Sequence, residues 1–495
     1  MIGAMTPPPH RPTRLSPRRL LLAVVALALI ALAWWGILGQ ERGVQRRALT
    51  GAGGTPLTFL APQDAAGVPG VVVAHGFAGS SALMLGFGRA LARAGYGVML
   101  LDFDGHGAAG GRLDSAALQR NLDAATAALI AQPEIDPARL ALLGHSMGSG
   151  AVMSAAIVAP DRYQATVAVS PTGAAVSPDA PRNLLLMAGT LEPNFLANAR
   201  DLLARAGGPD DDLAAGRGRA LVEIANVEHI TILFSPAAQQ TALDWLNRTF
   251  NFPPATAAPD RRLVWYVAHL AGWLLLLVAV APLVPATTAG ATRRRPWPWL
   301  GLPLGALAAA LLLFGLGRLA DVSRLGGLLV GGALALWFAA LGLVWLLLGF
   351  RPPRPRGGDL LWGLALFLAL TLAFGLMAGR VWIHWWLIPA RLALWPVAAV
   401  AVLPWALAAG LAQHGASPLR RAGWWLAQTV VIVAGLALTV TLNTGLGFVM
   451  LLMPVIPVIL LLMTVAGACF DRPWSYALGN ALFFGWLLVA IFPLA

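Results

Sequence analysis

The chain contains nine apolar runs of about the length that crosses a lipid bilayer, and these runs constrain its fold more than any other feature. About 20 helical residues, at about 1.5 Å each, cross the hydrocarbon core of a membrane. Only 11% of the 495 residues are charged, against about 25% in a soluble protein. One run lies at 20–39, and the other eight lie at 264–284, 299–317, 325–349, 360–379, 392–412, 424–443, 447–468 and 477–494.

These runs divide the sequence into four regions. We predict a basic cytosolic tail over 1–19, a transmembrane anchor helix over 20–39, a globular domain over 40–260, and an all-α bundle of about eight transmembrane helices over 261–495. A cleaved signal peptide is the alternative for the first run, because Ala31-Leu32-Ala33 has the small-x-small pattern of a cleavage site. The run is longer than an ordinary signal core, which favours the anchor. Under either interpretation the globular domain is exported.

Arginines alternate between the loops that connect the apolar runs. The tail and every second loop carry 13 arginines, whereas the opposite loops carry four, namely Arg318, Arg324, Arg380 and Arg391. Basic loops face the cytoplasm, so the globular domain and the C-terminus are predicted to lie outside the cytoplasmic membrane. Four further arginines flank the globular domain, where we expect them to meet anionic lipid headgroups: Arg46, Arg47, Arg261 and Arg262.

The net charge of +12 does not indicate a nucleic-acid partner. Residues 41–260 contain 15 arginines and 19 acidic residues, a balance of −4, while the rest of the chain contains 19 arginines and three acidic residues, or +16. The basic excess therefore belongs to membrane loops, and no basic face of a soluble domain is indicated. Nucleic-acid binding is not expected, whereas contact with the lipid bilayer is.

The globular domain alternates short apolar strands with helical segments, which predicts an α/β fold with a mainly parallel sheet flanked by helices. The segment Asn251 to Asp260, rich in proline and small residues, is predicted to be a linker. Predicted strands lie at 71–74, 97–101, 139–143, 183–188 and 220–225, and predicted helices at 115–131 and 149–159.

The strongest chemical signal is Gly144-His145-Ser146-Met147-Gly148, which joins an apolar strand directly to a small-residue helix. A tight strand-to-helix turn requires glycine at both flanks, and it presents the serine hydroxyl at the positive end of the helix. Ser146 is therefore predicted to be a nucleophile. A serine that only caps the helix is the alternative.

With these motifs, residues 55–250 resemble the α/β-hydrolase superfamily, and most closely its dienelactone-hydrolase and serine-aminopeptidase-like branches. His75-Gly76 resembles the family's oxyanion loop, and Asp102 to Gly107 resembles its D-x-x-G-x-G turn. The resemblance implies a serine hydrolase, with the backbone N–H groups of Phe77 and Met147 as the oxyanion hole. Asp102 is expected to brace its turn.

The same resemblance implies a general base and an acid that follow Ser146 along the chain. His229 is the only histidine between Ser146 and the predicted membrane domain, so it is the predicted base. Glu192 stands where the family has its acid, although aspartate is more usual there. Three other acidic residues remain alternatives: Asp201, Glu223 and Glu228.

Neither a metal nor a cofactor is predicted. His75, His106 and His145 each lie in a motif that explains them without metal, and the chain has no H-x-x-x-H or C-x-x-C spacing. A phosphate-binding P-loop is not indicated, because the chain contains no lysine. Its single cysteine, Cys469, cannot form an intrachain disulfide.

Two segments cover the predicted site. Residues 171–181 are too few for a helical cap, and 194–218 contain Asp210-Asp211-Asp212, so we expect a polar, mobile cover over an open site. Trp382, Trp385 and Trp386 are expected to form an interfacial belt on the same side of the membrane as Ser146. Pro454 and Pro457 are expected to kink one span.

The sequence thus predicts a membrane-bound serine hydrolase that cleaves carboxylic esters through an acyl-enzyme at the outer face of the cytoplasmic membrane. Its expected substrate is a small acyl ester or a lipid-linked ester. The alternatives are a transacylase of envelope lipids or glycans, and a transport or assembly protein with a ligand-sensing hydrolase-like domain. Peptide hydrolysis uses the same residues and also remains open.

Overall fold

A computed structural model describes residues 15–284, 293–295 and 297–495. The tail arginines Arg11 and Arg14 lie outside the described residues. The chain forms two compact units, which we call the α/β unit and the helical unit. The α/β unit comprises Trp35–Tyr266, Ala378–Ala390 and Ala490–Ala495, and the helical unit comprises the residues up to Trp34, Val267–Met377 and Arg391–Val489.

The α/β unit contains an eight-stranded sheet in the order β1-β2-β4-β3-β5-β6-β7-β8. Strands β3 to β8 run parallel, while β2 pairs antiparallel with both β1 and β4. The predicted mainly parallel sheet is therefore confirmed. The strands are β1 Val44–Thr50, β2 Pro56–Pro62, β3 Val68–Ala74, β4 Gly97–Leu101, β5 Ile135–His145, β6 Ala165–Val169, β7 Leu184–Gly189 and β8 Arg219–Ile224.

Helices cover both faces of this sheet, and its strands β3, β4, β6 and β7 are buried almost throughout. Before the sheet comes α1, Pro17–Gly39. One face packs against α2 (Leu85–Arg93) and α6 (Pro236–Phe250). The other packs against α3, α4 and α5, which are Ser115–Ile130, Met147–Val158 and Pro193–Arg205.

Capping residues fix the ends of the helices in the α/β unit. Asp114 precedes α3 and its Oδ1 accepts a hydrogen bond from the N–H of Ala117 at 2.6 Å. Ser235 caps α6 in the same way, and Asn251 ends that helix in the left-handed conformation, with φ of 50°. No helix or strand follows from 252 to 260, in agreement with the predicted linker.

Among the described residues, seven helices are long and apolar enough to cross a membrane, and each coincides with one of the nine predicted spans. They are Pro17–Gly39, Arg262–Leu283, Gly331–Gly349, Gly357–Val381, Pro389–Gln413, Pro418–Leu442 and Pro473–Ile491. The chain is thus suited to a membrane, as predicted. The helices after α6 are α7 Arg262–Val280, α8 Gly301–Gly317, α9 Gly331–Gly349, α10 Gly357–Leu370, α11 Leu376–Val381, α12 Pro389–Leu392, α13 Trp395–Gln413, α14 Pro418–Leu442, α15 Ile456–Phe470 and α16 Pro473–Ile491.

Two predicted spans are shorter than expected. The run at 299–317 forms the 17-residue α8, and the run at 447–468 is divided between a 3₁₀ segment, Thr444–Leu452, and the 15-residue α15. The expected kink at Pro454 and Pro457 is wrong in detail. Pro457 lies in the first turn of α15. A backbone N–H at that position would have no partner within the helix, so proline loses no hydrogen bond there. The prolines therefore precede or start a helix and do not bend one.

The segment Ala378–Ala390, between α10 and α13 along the chain, belongs to the α/β unit and not to the helical unit. It therefore shares a compact unit with Ser146. The expected tryptophan belt is only partly present, because Trp385 is buried at 1% exposure and Trp382 packs against the core, whereas Trp386 is 58% exposed. Burial of Trp382 and Trp385 stabilises the α/β unit.

Candidate active site

Ser146 lies at the sharp turn between β5 and α4. Its φ of 52° and ψ of −121° fall outside the regions that non-glycine residues usually adopt. The Ser146 N–H donates to the carbonyl of Val169 at 2.9 Å, which anchors the turn to β6. Such strain is typical of functional turns, and here it places the hydroxyl at the N-terminus of α4.

Glycines on both sides make this turn sterically feasible. A Cβ on Gly144 would collide with the carbonyl of Gly148, and a Cβ on Gly148 would collide with the carbonyl of His75. A Cβ on Gly76 would lie 3.0 Å from Ser146 Cβ. The G-x-S-x-G motif and the His75-Gly76 loop are therefore packed directly against each other.

Ser146, His229 and Glu192 form a continuous hydrogen-bonded chain. His229 Nε2 lies 3.0 Å from Ser146 Oγ, and His229 Nδ1 lies 2.9 Å from Glu192 Oε2. All three residues are nearly buried, with exposures of 4–5%. They follow β5, β8 and β7, whose carboxyl ends meet at one edge of the parallel sheet. The structure thus brings together the three side chains that the sequence analysis selected.

The second oxygen of Glu192 is also bonded. Glu192 Oε1 accepts from Ser170 Oγ at 2.7 Å and from the Gly189 N–H at 2.6 Å. Ser170 follows β6 with a φ of 47°. The sequence analysis did not identify this residue, although its place directly after a buried strand is a usable signal. Together the two donors orient the carboxylate toward His229.

The three alternative acids lie elsewhere. Asp201 pairs with Arg205 at 2.9 Å, and Glu223 pairs with Arg200 at 2.6 Å, both on the surface. The Glu228 carboxylate accepts from the N–H groups of Ile230 and Thr231, so it caps the following 3₁₀ turn. Of the four candidate acids, Glu192 is the one hydrogen-bonded to the His229 ring.

Two aromatic rings hold the imidazole of His229 between them. The Phe195 ring stacks on it at 4.1 Å between centroids, and the His145 ring lies 4.7 Å away on a tilted plane. His145 Nε2 also lies 2.9 Å from the backbone carbonyl of His229. Burial, and then the neighbouring His229, hold the pKa of His145 well below its ordinary value, so His145 is neutral and donates from Nε2.

The backbone that faces Ser146 comes from the turn after β3 and from the start of α4. Met147 is the first residue of α4, where N–H groups lack partners within the helix. Phe77 follows Gly76, and its ring meets His106 edge-on at 5.8 Å. The assignment of the Phe77 and Met147 N–H groups to an oxyanion hole stays a prediction.

Asp102 ties two turns together beside the site. Its Oδ1 accepts from the Ser81 N–H at 2.6 Å, and its Oδ2 accepts from the Ala108 N–H at 2.9 Å. The expectation that Asp102 braces this turn agrees with these bonds. His75 is held by its own bonds, since Nε2 accepts from the Phe103 N–H at 3.0 Å and Nδ1 donates to the Gly76 carbonyl at 2.7 Å.

Comparison with known proteins agrees with this architecture. The family model for serine aminopeptidases of family S33 matches residues 68–205, which include β3, α4 and Glu192. Residues 44–250 have the α/β-hydrolase fold, and we call them the hydrolase domain. Two proteins described as uncharacterized, from Mycobacterium tuberculosis strains CDC 1551 and H37Rv, are each 32% identical to 32% of this chain. The chain spans 58% of the length of these relatives.

Two solved structures match part of this chain. A dienelactone hydrolase from Anabaena variabilis matches 42% of this chain and 99% of its own, at 21% identity and a TM-score of 0.34. A membrane phospholipase A, described as a bacterial virulence factor, matches 47% of this chain and 97% of its own, at 16% identity and a TM-score of 0.33.

The cover of the hydrolase domain differs from the expectation. Residues 193–205 form the packed helix α5, whose Leu196, Ala199 and Leu202 are buried against the sheet. Their spacing of three is helical, but the acidic run that follows suggested a mobile segment. Phe195, in the first turn of α5, stacks on His229. The part of the expected mobile cover at 193–205 is therefore a packed helix of the fold.

Among the described residues, no group of three His, Cys, Asp or Glu side chains is arranged to hold a metal ion.

Proposed function

We propose that this chain is a membrane-bound serine hydrolase that cleaves carboxylic esters through an acyl-enzyme. The observation that carries the proposal is the hydrogen-bonded chain from Ser146 Oγ through His229 to Glu192, almost completely buried. A serine at its ordinary pKa is a weak nucleophile and needs such a base. A buried carboxylate beside His229 favours the imidazolium that forms when the base accepts a proton.

In the acylation step, Ser146 Oγ attacks the ester carbonyl carbon while its proton moves to His229 Nε2. The tetrahedral oxyanion is placed against the N–H groups of Phe77 and Met147. Collapse breaks the bond to the leaving alkoxide, which takes the proton from His229 and departs as an alcohol. The product of this half-reaction is an ester of Ser146.

In the deacylation step, His229 removes a proton from water, which attacks the acyl carbon. The second tetrahedral intermediate releases the carboxylic acid, and Ser146 recovers its proton from His229. Glu192 remains ionised throughout, since its Oε2 accepts the Nδ1–H of His229 and its Oε1 accepts from Ser170 and Gly189.

The membrane setting is the second part of the proposal. We place the hydrolase domain at the outer face of the cytoplasmic membrane, with a small acyl ester or a lipid-linked ester as substrate. The apolar helices and the alternating arginine-rich loops support this placement. Reporter fusions at Gln45 and Pro355 should report opposite compartments, and the same compartment for both would contradict the placement.

Fluorophosphonate labelling of the purified full chain tests the chemistry. The wild-type chain should be labelled, and Ser146→Ala should abolish the label. Ser115→Ala is a matched control, because Ser115 is an exposed serine in the first turn of α3 and should not affect the label. Labelling that persists in Ser146→Ala would refute the assignment.

Ester profiling addresses the substrate. Hydrolysis of p-nitrophenyl esters from acetyl to palmitoyl, measured in detergent, should show a preferred chain length. A preference for long chains would favour a lipid-linked substrate, and a preference for acetyl would favour a small ester. Absence of hydrolysis with every ester, despite labelling of Ser146, would contradict an esterase.

A further inference from the structure

Arg262, the first residue of α7, is completely buried in the α/β unit, with 0% of its side chain exposed. Its guanidinium pairs with Asp260, where Nη2 lies 2.7 Å from Oδ2. The expected contact of Arg262 with lipid headgroups is wrong, because Asp260 and backbone carbonyls surround its guanidinium. Arginine can bridge several acceptors at once through its planar set of N–H donors, and here it does so.

The first group of acceptors belongs to the turn that follows the oxyanion loop. Arg262 Nη1 donates to the carbonyl of Ala82 at 2.9 Å, and Nη2 lies 3.5 Å from the carbonyl of Leu83. The neighbouring Ser81 N–H is held by Asp102 at 2.6 Å. The negative Asp102 and the positive Arg262 thus bind neighbouring peptide groups, the Ser81 N–H and the Ala82 carbonyl, in the turn that follows Gly79.

The second contact belongs to the loop of His229. The Arg262 guanidinium lies over the Phe234 ring, 5.0 Å from its centroid. Phe234 ends the 3₁₀ helix Thr231–Phe234, which begins two residues after His229. A desolvated guanidinium over an aromatic face is attractive. Arg262 therefore contacts both the turn that follows the oxyanion loop and the 3₁₀ helix that follows His229.

The third contact leads to the segment between two apolar helices. Arg262 Nη1 also donates to the carbonyl of Val381 at 2.7 Å. Val381 ends α11 and is followed by Trp382, which packs against the same core as α2 and α6. Both partners lie within the α/β unit. One buried side chain thus joins the segment 378–390 to the turns beside the site.

Space for the ion pair is provided by a glycine. A Cβ on Gly86, in the first turns of α2, would collide with the Asp260 carboxylate and lie 2.8 Å from Arg262 Nη2. The helix α2 directly follows the Ala82–Leu83 turn. The missing Cβ at Gly86 therefore lets both this turn and α2 lie against the Asp260–Arg262 pair.

We propose that Arg262 is a positioning residue that couples the segment 378–390 to the oxyanion loop and to the loop of His229, and so sets the acylation rate of Ser146. The inference rests on the proposed function. A shift of the segment moves the Val381 carbonyl, and Arg262 carries that shift to both turns. The segment is then a means by which a region outside the hydrolase fold controls catalysis.

Kinetics of the full chain test the proposal. Arg262→Lys keeps the positive charge but cannot donate to Asp260, Ala82 and Val381 at once. Gly86→Ala displaces the Asp260–Arg262 pair without removing either charge. Each should lower the fluorophosphonate rate constant about 10- to 100-fold, because small displacements at a reacting centre have effects of this size. With a p-nitrophenyl ester, kcat should fall while KM stays within about twofold.

A matched control separates positioning from general destabilisation. Tyr96→Phe removes a buried 2.7 Å hydrogen bond to Asn247 in the same core, away from the catalytic loops. It should lower thermal stability and leave kcat unchanged. If Tyr96→Phe lowers kcat as much as Arg262→Lys, or if folded Arg262→Lys and Gly86→Ala label at the wild-type rate, the proposal is overturned. Phe234→Leu provides an independent variant if Arg262→Lys does not fold.

The coupling to the segment is tested by a double-mutant cycle. Trp382→Ala should slow labelling, and its effect combined with Arg262→Lys should be smaller than the product of the two single effects. Fully multiplicative effects would overturn the coupling. Failure of the wild-type chain to label at Ser146 would instead refute the proposed function, so the two failures are distinguishable.

Discussion

Glu192 of the hydrolase domain and the carboxylates of the helical unit are used in different ways. Glu192 is buried, and its oxygens accept hydrogen bonds from Ser170, Gly189 and His229. Outside residues 41–260 the chain has three acidic residues, and all three lie at helix ends: Asp321, Asp359 and Asp471. Each has an arginine within 3.0–3.7 Å.

The difference shows what each carboxylate can do. A carboxylate that is bonded to neutral donors retains its attraction for a proton-bearing imidazole, whereas a carboxylate beside an arginine is already neutralised. Glu192 is therefore suited to stabilise a charge that forms during a reaction. The carboxylates of the helical unit are suited to hold helix ends.

Replacement of His229 should have the largest effect. His229→Ala removes the group that accepts the Ser146 proton, so ester hydrolysis should fall by roughly 10⁴- to 10⁶-fold. Initial rates with a p-nitrophenyl ester measure the loss. His414→Ala is the matched control in the helical unit, since His414 lies beside Asp471 at 3.4 Å and should not affect the rate. Equal losses in both variants would contradict the contrast.

Replacement of the Glu192 charge should have the next largest effect. Glu192→Gln keeps the size of the side chain but removes its negative charge, and it offers the wrong partner to His229 Nδ1. We expect a loss of roughly 10³- to 10⁴-fold in kcat, with Glu192→Asp retaining more activity. Glu228→Gln, which affects only the cap of a 3₁₀ turn, is the control. A loss in Glu228→Gln that exceeded the loss in Glu192→Gln would reassign the acid.

The proximity of the three candidate residues could be predicted because chain order and topology bring them together. Ser146, Glu192 and His229 each follow a strand of one parallel sheet, and the carboxyl ends of these strands lie at one edge. A motif for the serine, a single available histidine and the residue order implied by the resemblance therefore led to three side chains that are hydrogen-bonded in the structure. Their catalytic roles stay a prediction. The short apolar segments likewise predicted the strands of the sheet, and the long apolar runs predicted most of the membrane-length helices.

Contacts between distant segments could not be predicted in this way. Ser170, Phe195 and Arg262 act through side-chain contacts with residues 22 to 180 positions away, and no local pattern specifies such partners. Arg262 illustrates the error, since an arginine beside an apolar run suggested a lipid contact. In the sequence, its partner Asp260 is only the end of a predicted linker. Tertiary structure decided whether the charge was exposed.

Acidic pH should destabilise the hydrolase domain. Burial lowers the pKa of both His75 and His145, while an unfolded histidine titrates near about 6.5. As pH falls below that value, the unfolded chain binds protons that the folded domain does not, so stability falls. The slope reaches about 1.4 kcal/mol per pH unit for each histidine.

Pulse proteolysis of the hydrolase domain in urea, at about pH 7.5 and about pH 5.5, measures this slope. His145→Asn should reduce the slope by about one proton relative to the wild-type chain. An unchanged slope in His145→Asn, or a wild-type domain that becomes more stable at acidic pH, would contradict the prediction.

Loss of the Ser170 hydroxyl should have a smaller effect on the same carboxylate. Ser170→Ala removes one of the two donors to Glu192 Oε1, while the Gly189 N–H remains. We expect about a tenfold fall in kcat, with little change in KM. Ser177→Ala, in the loop after β6, is the control. A loss as large as that of Glu192→Gln would mean that Ser170 takes part in the chemistry directly.

The smallest effect should come from a carboxylate of the helical unit. Asp471 lies between α15 and α16, and it accepts hydrogen bonds from the Gly415 N–H at 3.2 Å and from Arg421 at 3.0 Å. Asp471→Asn weakens both bonds in a half-buried site, so the helical unit should lose about 1–2 kcal/mol of stability. Thermal unfolding in detergent, followed by circular dichroism, measures this loss.

Arg324→Gln is the matched control for this prediction, because the Arg324–Asp321 pair is about 60% exposed on both sides and exposed pairs contribute about 0–1 kcal/mol. Fluorophosphonate labelling of Ser146 should be unchanged in both variants. Slower labelling in Asp471→Asn would show that the helical unit influences catalysis through its helix ends. In that case the carboxylates of the two units would be linked in function, and the division between chemical and structural carboxylates would no longer hold.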